Sequence, residues 1–199
     1  MANANKPQGL SPVKHLLGAS MVGQGNIYYI ASDNGDAFAI GDPVKSSGSS
    51  DSNGVPGIAL ATAGAGNAIR GVIVGFGRYE SLLANPANLD SNVIPATKSY
   101  AYYALVIDDP WVIFEVQEQG SGTALTAAEV GLNADLVSGS NNGYVSGWQL
   151  NNAGEGTGAT LQVRLLGLTR KSDNAFGYYA KWLVLINNHE LKAGVAGVS

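Results

Sequence analysis

Few residues in this 199-residue chain could perform catalytic chemistry. Its two histidines are His15 and His189, and it contains no cysteine. A histidine-based triad or a two-histidine metal site would therefore need the two ends of the chain to meet. His189 follows an apolar run, where a strand-end histidine with ordinary hydrogen bonds is the simpler interpretation. We expect no enzymatic activity, no catalytic residue, no metal and no cofactor.

Three short motifs resemble binding sites but fit turns better. Asp108-Asp109 precedes Pro110, and turn formation accounts for the pair because adjacent turn carboxylates seldom converge on one atom. Asp33-Asn-Gly-Asp36 begins like a calcium loop but lacks the remaining ligands. Gly154-Glu-Gly-Thr-Gly158 precedes a β-like run instead of opening a helix, which removes the rationale for phosphate binding.

Composition narrows the possible partners. Charged residues make up 13% of the chain, against about 25% in an ordinary soluble domain. A surface with so few charges favours a homo-oligomer or an assembly subunit over a monomer. The net charge of −4 and the scattered Lys and Arg residues predict no nucleic-acid binding. The apolar runs are too short to span a bilayer, and the N-terminus lacks a signal-peptide core, so we expect a cytoplasmic site of synthesis and no membrane partner.

The elements that must position these residues are short β-strands. β-like runs separated by Gly-rich and Asn-rich breaks predict an all-β sandwich or barrel of short antiparallel strands. The runs lie at residues 26–31, 37–40, 57–62, 70–76, 144–150, 160–169 and 180–186. Residues 46–53 and 85–92 are predicted as surface loops, the first of them mobile. Thr126-Ala-Ala-Glu129 matches a capping box and predicts one short helix.

The most determinate stretch runs from Tyr100 to Gln117. Residues 100–107 are apolar on both alternating faces, which predicts a strand covered on both sides. The Asp-Asp-Pro sequence at 108–110 predicts a tight reversal into a second strand. That second strand turns polar on one face, so we expect it to leave the core near Glu115.

The N-terminal segment has no sustained period. Its Pro and Gly residues predict an extended arm over residues 1–25, followed by a single β-domain over residues 26–199. Leu10, Val13, Leu16 and Leu17 are more apolar than a disordered tail requires, so we expect the arm to dock on a neighbouring subunit. The best candidates for contact with a partner are Pro12, Val13, Lys14, His15, Leu16 and Leu17.

The chain also resembles a known family, the capsid cement or decoration proteins of tailed double-stranded DNA bacteriophages, as typified by podophages related to the Bordetella phage. The resemblance runs over nearly the whole chain, although Gln8 and Ser11 stand where the family often has an aromatic and a basic residue. It rests on Met-Ala-Asn-Ala-Asn-Lys-Pro-Gln-Gly-Leu-Ser-Pro-Val-Lys14, Tyr28-Tyr-Ile30, Gly41-Asp-Pro-Val-Lys45, Asp108-Asp-Pro-Trp-Val-Ile-Phe-Glu-Val-Gln117, Val130-Gly-Leu-Asn-Ala-Asp-Leu136 and Val184-Leu-Ile-Asn-Asn-His-Glu-Leu191.

The resemblance implies a jelly-roll-like fold and a structural virion protein. Such a protein binds the outer surface of the expanded capsid and clamps neighbouring major capsid protein subunits against the pressure of packaged DNA. It implies a location on the capsid exterior after synthesis in the bacterial host cytoplasm, with the major capsid protein and further copies of itself, as a homodimer or a homotrimer, as partners. The alternative is a virion glycan-binding or host-adhesion module that uses exposed tyrosine and tryptophan side chains.

Overall fold

A computed structural model describes residues 3–20, 25–77 and 92–192, and it confirms the all-β class. The described strands are β1 (Ser11–His15), β2 (Asn26–Ile30), β3 (Phe38–Ala39), β4 (Pro43–Ser50), β5 (Pro56–Leu60), β6 (Gly71–Gly77), β7 (Val93–Ile94), β8 (Tyr102–Ile107), β9 (Val112–Gln117), β10 (Asn133–Ala134), β11 (Leu136–Val137), β12 (Gln149–Leu150), β13 (Val163–Leu168) and β14 (Lys181–Ile186). One 3₁₀ turn, Ala127–Glu129, stands between β9 and β10.

Five of these strands close into a barrel in the order β2-β5-β4-β6-β8. All neighbours in it are antiparallel except β2 and β5, which meet in parallel where Tyr29 faces Gly57. Closure leaves no open edge on this part of the molecule. The barrel has its own core of buried side chains, formed by Tyr28, Ile30, Phe38, Val44, Ile58, Ile73, Phe76, Ile94, Ala104 and Val106.

The second unit is a five-stranded sheet in the order β1-β9-β14-β13-β10, antiparallel throughout. Its apolar face packs on the outside of the barrel, since the second core joins Phe114 and Trp182 of the sheet to Val72 and Ile107 of the barrel. Sheet and barrel therefore form one layered body around two cores. The jelly-roll arrangement is not established by this strand order and stays a prediction.

The stretch from Tyr100 to Gln117 contains the two predicted strands, but they do not pair with each other. β8 pairs with β2 and β6 in the barrel, whereas β9 pairs with β1 and β14 in the sheet. The acidic turn thus carries the chain from one unit to the other. The expectation that the second strand leaves the core near Glu115 is wrong, because Val116 and Gln117 are both buried.

Gln117 is buried because the N-terminal segment covers it. The backbone N–H of Lys6 donates to its side-chain oxygen at 2.8 Å, and its amide donates to Asn5 Oδ1 at 2.9 Å. Further along, Leu10 is fully buried in the core and β1 pairs with β9. Residues 3–15 therefore pack along their own chain, and residues 16–20 are exposed. That this segment reaches a neighbouring subunit stays a prediction.

The prediction of a loop over residues 46–53 is wrong for its first half. β4 continues to Ser50, because Ser46 pairs with Ile58 and Ser50 with Pro56 in the barrel. The predicted loop over residues 85–92 lies outside the described residues, apart from its last residue. The short helix is confirmed as a single 3₁₀ turn, with Thr126 Oγ1 accepting from the N–H of Ala128 and the N–H of Thr126 donating to Glu129 Oε2.

Candidate functional site

The candidate site lies where the end of β1 meets the acidic turn. His15 Nε2 is 3.1 Å from Asp109 Oδ2, and the backbone N–H of Leu16 donates to the carbonyl of Trp111 at 2.8 Å. The backbone N–H of Leu17 donates to the other ring nitrogen of His15 at 3.1 Å. These contacts fix the turn that follows β1 against the turn that precedes β9, although the two lie nearly a hundred residues apart in sequence.

Asp109 organises its own turn as well. Its Oδ1 accepts from the N–H of Trp111 at 2.8 Å, and its carbonyl accepts from the N–H of Val112 at 3.2 Å. This is the local capping expected of an aspartate at a tight turn. The prediction that turn formation accounts for this carboxylate is confirmed.

Around these contacts lies a group of exposed apolar side chains, which we call the apolar patch. It consists of Val13 (46% exposed), Leu16 (44%), Leu17 (70%), Trp111 (42%) and Leu191 (49%). Lys192 Nζ lies 5.7 Å from the centre of the Trp111 ring, which brings the C-terminal end of the described chain to the patch. Large apolar side chains grouped on an exposed surface are typical of an interaction site.

The six residues predicted to contact a partner all lie on β1 or in the turn after it. Val13, Lys14, Leu16 and Leu17 are exposed, whereas Pro12 and His15 are half-buried. Val13 sits at an irregularity in the pairing of β1 with β9, between the paired residues Pro12 and Lys14. An edge strand with a proline and a bulge resists open-ended pairing with other strands, so side chains provide the contact surface here.

Beneath the patch, Asp108 belongs to a polar cluster instead of the turn. Its two oxygens accept from Tyr28 Oη at 2.6 Å and from Asn26 Nδ2 at 2.8 Å. Arg70 donates to Tyr28 Oη at 2.7 Å and lies 3.8 Å from Asp108. Burial and the hydrogen bond to Asp108 raise the pKa of Tyr28 to about 12, so the phenol stays protonated and donates.

The same cluster reaches the end of the sheet through Glu190. Its carboxylate accepts from the N–H and the hydroxyl of Ser46, at 2.9 and 2.5 Å, and lies 3.8 Å from Arg70. His189 beside it is fully buried, and burial together with nearby Lys192 lowers its pKa to about 4. Asp108, Tyr28, Arg70 and Glu190 satisfy one another and link the barrel to the segment that follows β14, so we call this cluster the polar clamp. His189 is not part of these contacts, because its Nε2 is buried without a hydrogen-bond partner.

The structure also shows where the other short motifs lie. Among the described residues there is no group of three or more His, Asp or Glu side chains that could hold a metal ion. In the Asp33–Asp36 motif the side chain of Asn34 accepts from the N–H of Asp36, which is turn chemistry. Gly156, in the glycine-rich motif, pairs with Asn133 beside β10.

No helix within the described ranges is long and apolar enough to cross a membrane. No protein-family model matches this chain, and searches of curated proteins and of solved structures give no match.

Sequence reasoning missed two parts of the site. The sequence does not predict the exposure of Trp111, and Leu191 lies beyond the last predicted β-like run, which ends at residue 186. The link between Arg70 and Glu190 has no sequence signal, because the two residues are separated by most of the chain. Only the alternation of the sequence after the acidic turn, which places Trp111 and Val112 on opposite faces, indicated that this tryptophan could face outward.

Proposed function

We propose that this protein is a structural, non-enzymatic virion protein. It binds the outer surface of the expanded phage capsid and clamps neighbouring major capsid protein subunits against internal DNA pressure. The observation that carries the proposal is the apolar patch, which contains three of the six predicted contact residues and is fixed by the contacts of His15 and Asp109. The resemblance in sequence and the low charge content also support this proposal.

The patch suits a clamp because little order has to be acquired on binding. Val13 lies within β1, which pairs with β9, and the backbone of Trp111 is held by Asp109, so the surface is already formed in the free protein. Burying such side chains contributes about 25 cal/mol per Å² of apolar area. A protein that binds only the expanded shell stabilises it by mass action, in proportion to its affinity for that state.

The location and the partners in this proposal are those that the resemblance in sequence implies. The protein would act on the capsid exterior after synthesis in the bacterial host cytoplasm, with the major capsid protein and itself as partners and without nucleic acid or membrane. Both a homodimer and a homotrimer are compatible with a β-domain that presents one patch.

The direct test is sedimentation of purified protein with expanded, undecorated capsids and with unexpanded procapsids of the parent phage. We expect binding to expanded shells alone. Val13→Ser should weaken that binding roughly fivefold and Leu17→Ser roughly tenfold or more, since each removes on the order of 1–2 kcal/mol of buried apolar contact. Deleting residues 1–17 is a poorer test, because it would also remove β1 and the buried Leu10.

Val130→Ser provides the matched control. Val130 is 44% exposed, close to the 46% of Val13, but it lies after the 3₁₀ turn and outside the apolar patch. Equal losses from Val13→Ser and Val130→Ser would contradict the role of the patch. Binding to neither form of the shell would reject the cement proposal and favour the glycan-binding alternative, which a glycan array would then test.

A further inference from the structure

A cavity of about 370 Å³ shares no residue with the apolar patch or the polar clamp, and the proposed function does not use it. It is lined by Ala37, Asp42, Leu60, Ser138, Gly139, Ser140, Asn141 and Trp148. Its walls come from the connections around β3 and β5 and from the loop between β11 and β12. The volume falls in the range of small-molecule sites, about 300–1,000 Å³.

The loop that forms one wall is held in a fixed shape. Gly139 and Gly147 approach so closely that a Cβ on Gly139 would lie 2.2 Å from the carbonyl oxygen of Gly147. The backbone N–H of Ser146 donates to the carbonyl of Ile40 at 2.9 Å, which ties the loop to the barrel. The cavity is therefore built by backbone packing and does not depend on a ligand for its shape.

Among the described residues that line the cavity, Asp42 is the one that carries a charge. The residue is 4% exposed, and its carboxylate accepts from the N–H of Ala39 at 2.7 Å and from the hydroxyl of Ser146. These donors do not offset the cost of burial, which raises the pKa of Asp42 to about 6. The carboxylate can therefore still accept a hydrogen bond from a ligand.

The remaining lining offers a matched set of donors and apolar surface. Ser138 and Ser140 supply exposed hydroxyls. Asn141 also lines the cavity; its side-chain oxygen accepts from the N–H of Gly143, and its amide nitrogen is a further donor of the lining. Leu60 supplies half-buried apolar surface, and Trp148, which is 3% exposed, contributes only an edge of its side chain to the lining.

From this combination we infer that the cavity binds a neutral saccharide unit. A pyranose has hydroxyls that both donate and accept, which correspond to the carboxylate, hydroxyl and amide groups of the lining. Its C–H groups correspond to the apolar lining of Ala37, Leu60 and the edge of Trp148. An anionic sugar does not fit, because the lining contains no cation and places Asp42 against the added charge. The site is separate from the apolar patch, so the inference does not depend on the capsid proposal.

The test is titration of the full-length protein with glucose, galactose, mannose and N-acetylglucosamine, followed by saturation-transfer NMR and calorimetry. We expect at least one neutral sugar to bind with a dissociation constant on the order of 1 mM, as is usual for ligands of this size. Sialic acid and a simple amine such as propylamine serve as the anionic and cationic probes. Tighter binding of either charged probe than of every neutral sugar would overturn the inference.

Two variants locate the binding. Ser140→Trp fills the cavity from an exposed position and should abolish the signal, whereas Ser172→Trp places the same side chain on an exposed loop outside the cavity and should leave it unchanged. Asp42→Asn should weaken binding at least fivefold. Lack of binding by all four neutral sugars at 50-fold above the expected constant of about 1 mM, or equal binding by the two tryptophan variants, would refute the site.

Discussion

The side chain of Gln162 links the barrel to the five-stranded sheet through four hydrogen bonds. Its side chain is fully buried just before β13. Its Oε1 accepts from the N–H groups of Gly64 and Leu136 at 3.0 and 3.2 Å, and its Nε2 donates to the carbonyls of Thr62 and Asn67 at 2.9 and 3.1 Å. Three of these four partners lie between β5 and β6 of the barrel, so this one amide fastens the barrel to the sheet.

We expect Gln162→Leu to be strongly destabilising although it keeps a side chain of similar size. The change removes four hydrogen bonds and leaves four backbone groups without their partner. At about 1 kcal/mol for each bond, with incomplete additivity, the free energy of unfolding should fall by about 3–5 kcal/mol. For a chain of this length that corresponds to a drop in Tm of about 6–20 °C.

Gln149→Leu is the matched control for this measurement. Gln149 is half-buried, and its amide makes one long contact, 3.5 Å, with the carbonyl of Glu118. We expect it to cost less than about 1 kcal/mol. Urea unfolding followed by tryptophan fluorescence and by far-ultraviolet circular dichroism measures both values. Equal effects of the two variants would refute the assignment, and separate transitions by the two probes would show that Gln162 does not couple barrel and sheet.

Two further predictions concern a glycine and a histidine. Gly41→Ala should lower the free energy of unfolding by about 2–4 kcal/mol in urea, because the φ of Gly41 is +93° and an added Cβ would lie 2.2 Å from the Gln8 carbonyl oxygen. Gly35→Ala is the control: the space around Gly35 is open, so the free energy of unfolding should change by less than about 0.5 kcal/mol. Because the folded-state pKa of His189, about 4, lies below its ordinary value of 6.5, the stability it contributes is present above pH 6.5 and is lost as the pH falls through 4. The wild-type protein should therefore lose on the order of 3 kcal/mol more than His189→Gln over this interval. Asp42 has a raised pKa of about 6, so its effect on the pH dependence of stability has the opposite sign; it is present in both proteins and cancels in their difference. Equal dependence of stability on pH in the two proteins would contradict the role of His189.

The features that could be predicted from the sequence are those set by neighbouring residues. The capping box needs only Thr126 and Glu129, three positions apart, and both of its hydrogen bonds are present. The barrel strands follow from short apolar runs between turn residues. By contrast, Ser46–Ser50 has loop composition and becomes a strand only because β5 pairs with it.

The candidate site likewise has features that neighbouring residues predict and features that depend on long-range pairing. The apolar character of Val13, Leu16 and Leu17 is visible in the sequence, and these side chains are exposed, whereas Leu10 of the same segment is fully buried. The contact of this segment with Asp109 and Trp111 is not visible, because it depends on the long-range pairing of β1 with β9. Similarly, Gln117 reads as a solvent-facing residue until the N-terminal segment covers it.

The placement of β1 at the edge of the sheet has a consequence for the order of folding during synthesis. The barrel strands β2 to β8 occupy one continuous stretch of sequence, but β1 is made before them and pairs with β9, which is made after them. At about 5–20 residues per second the ribosome needs several seconds to make the intervening chain. The barrel can close in that interval, whereas Leu10 stays without its core until β9 emerges. β1 therefore waits unpaired for its place in the sheet until β9 has been made.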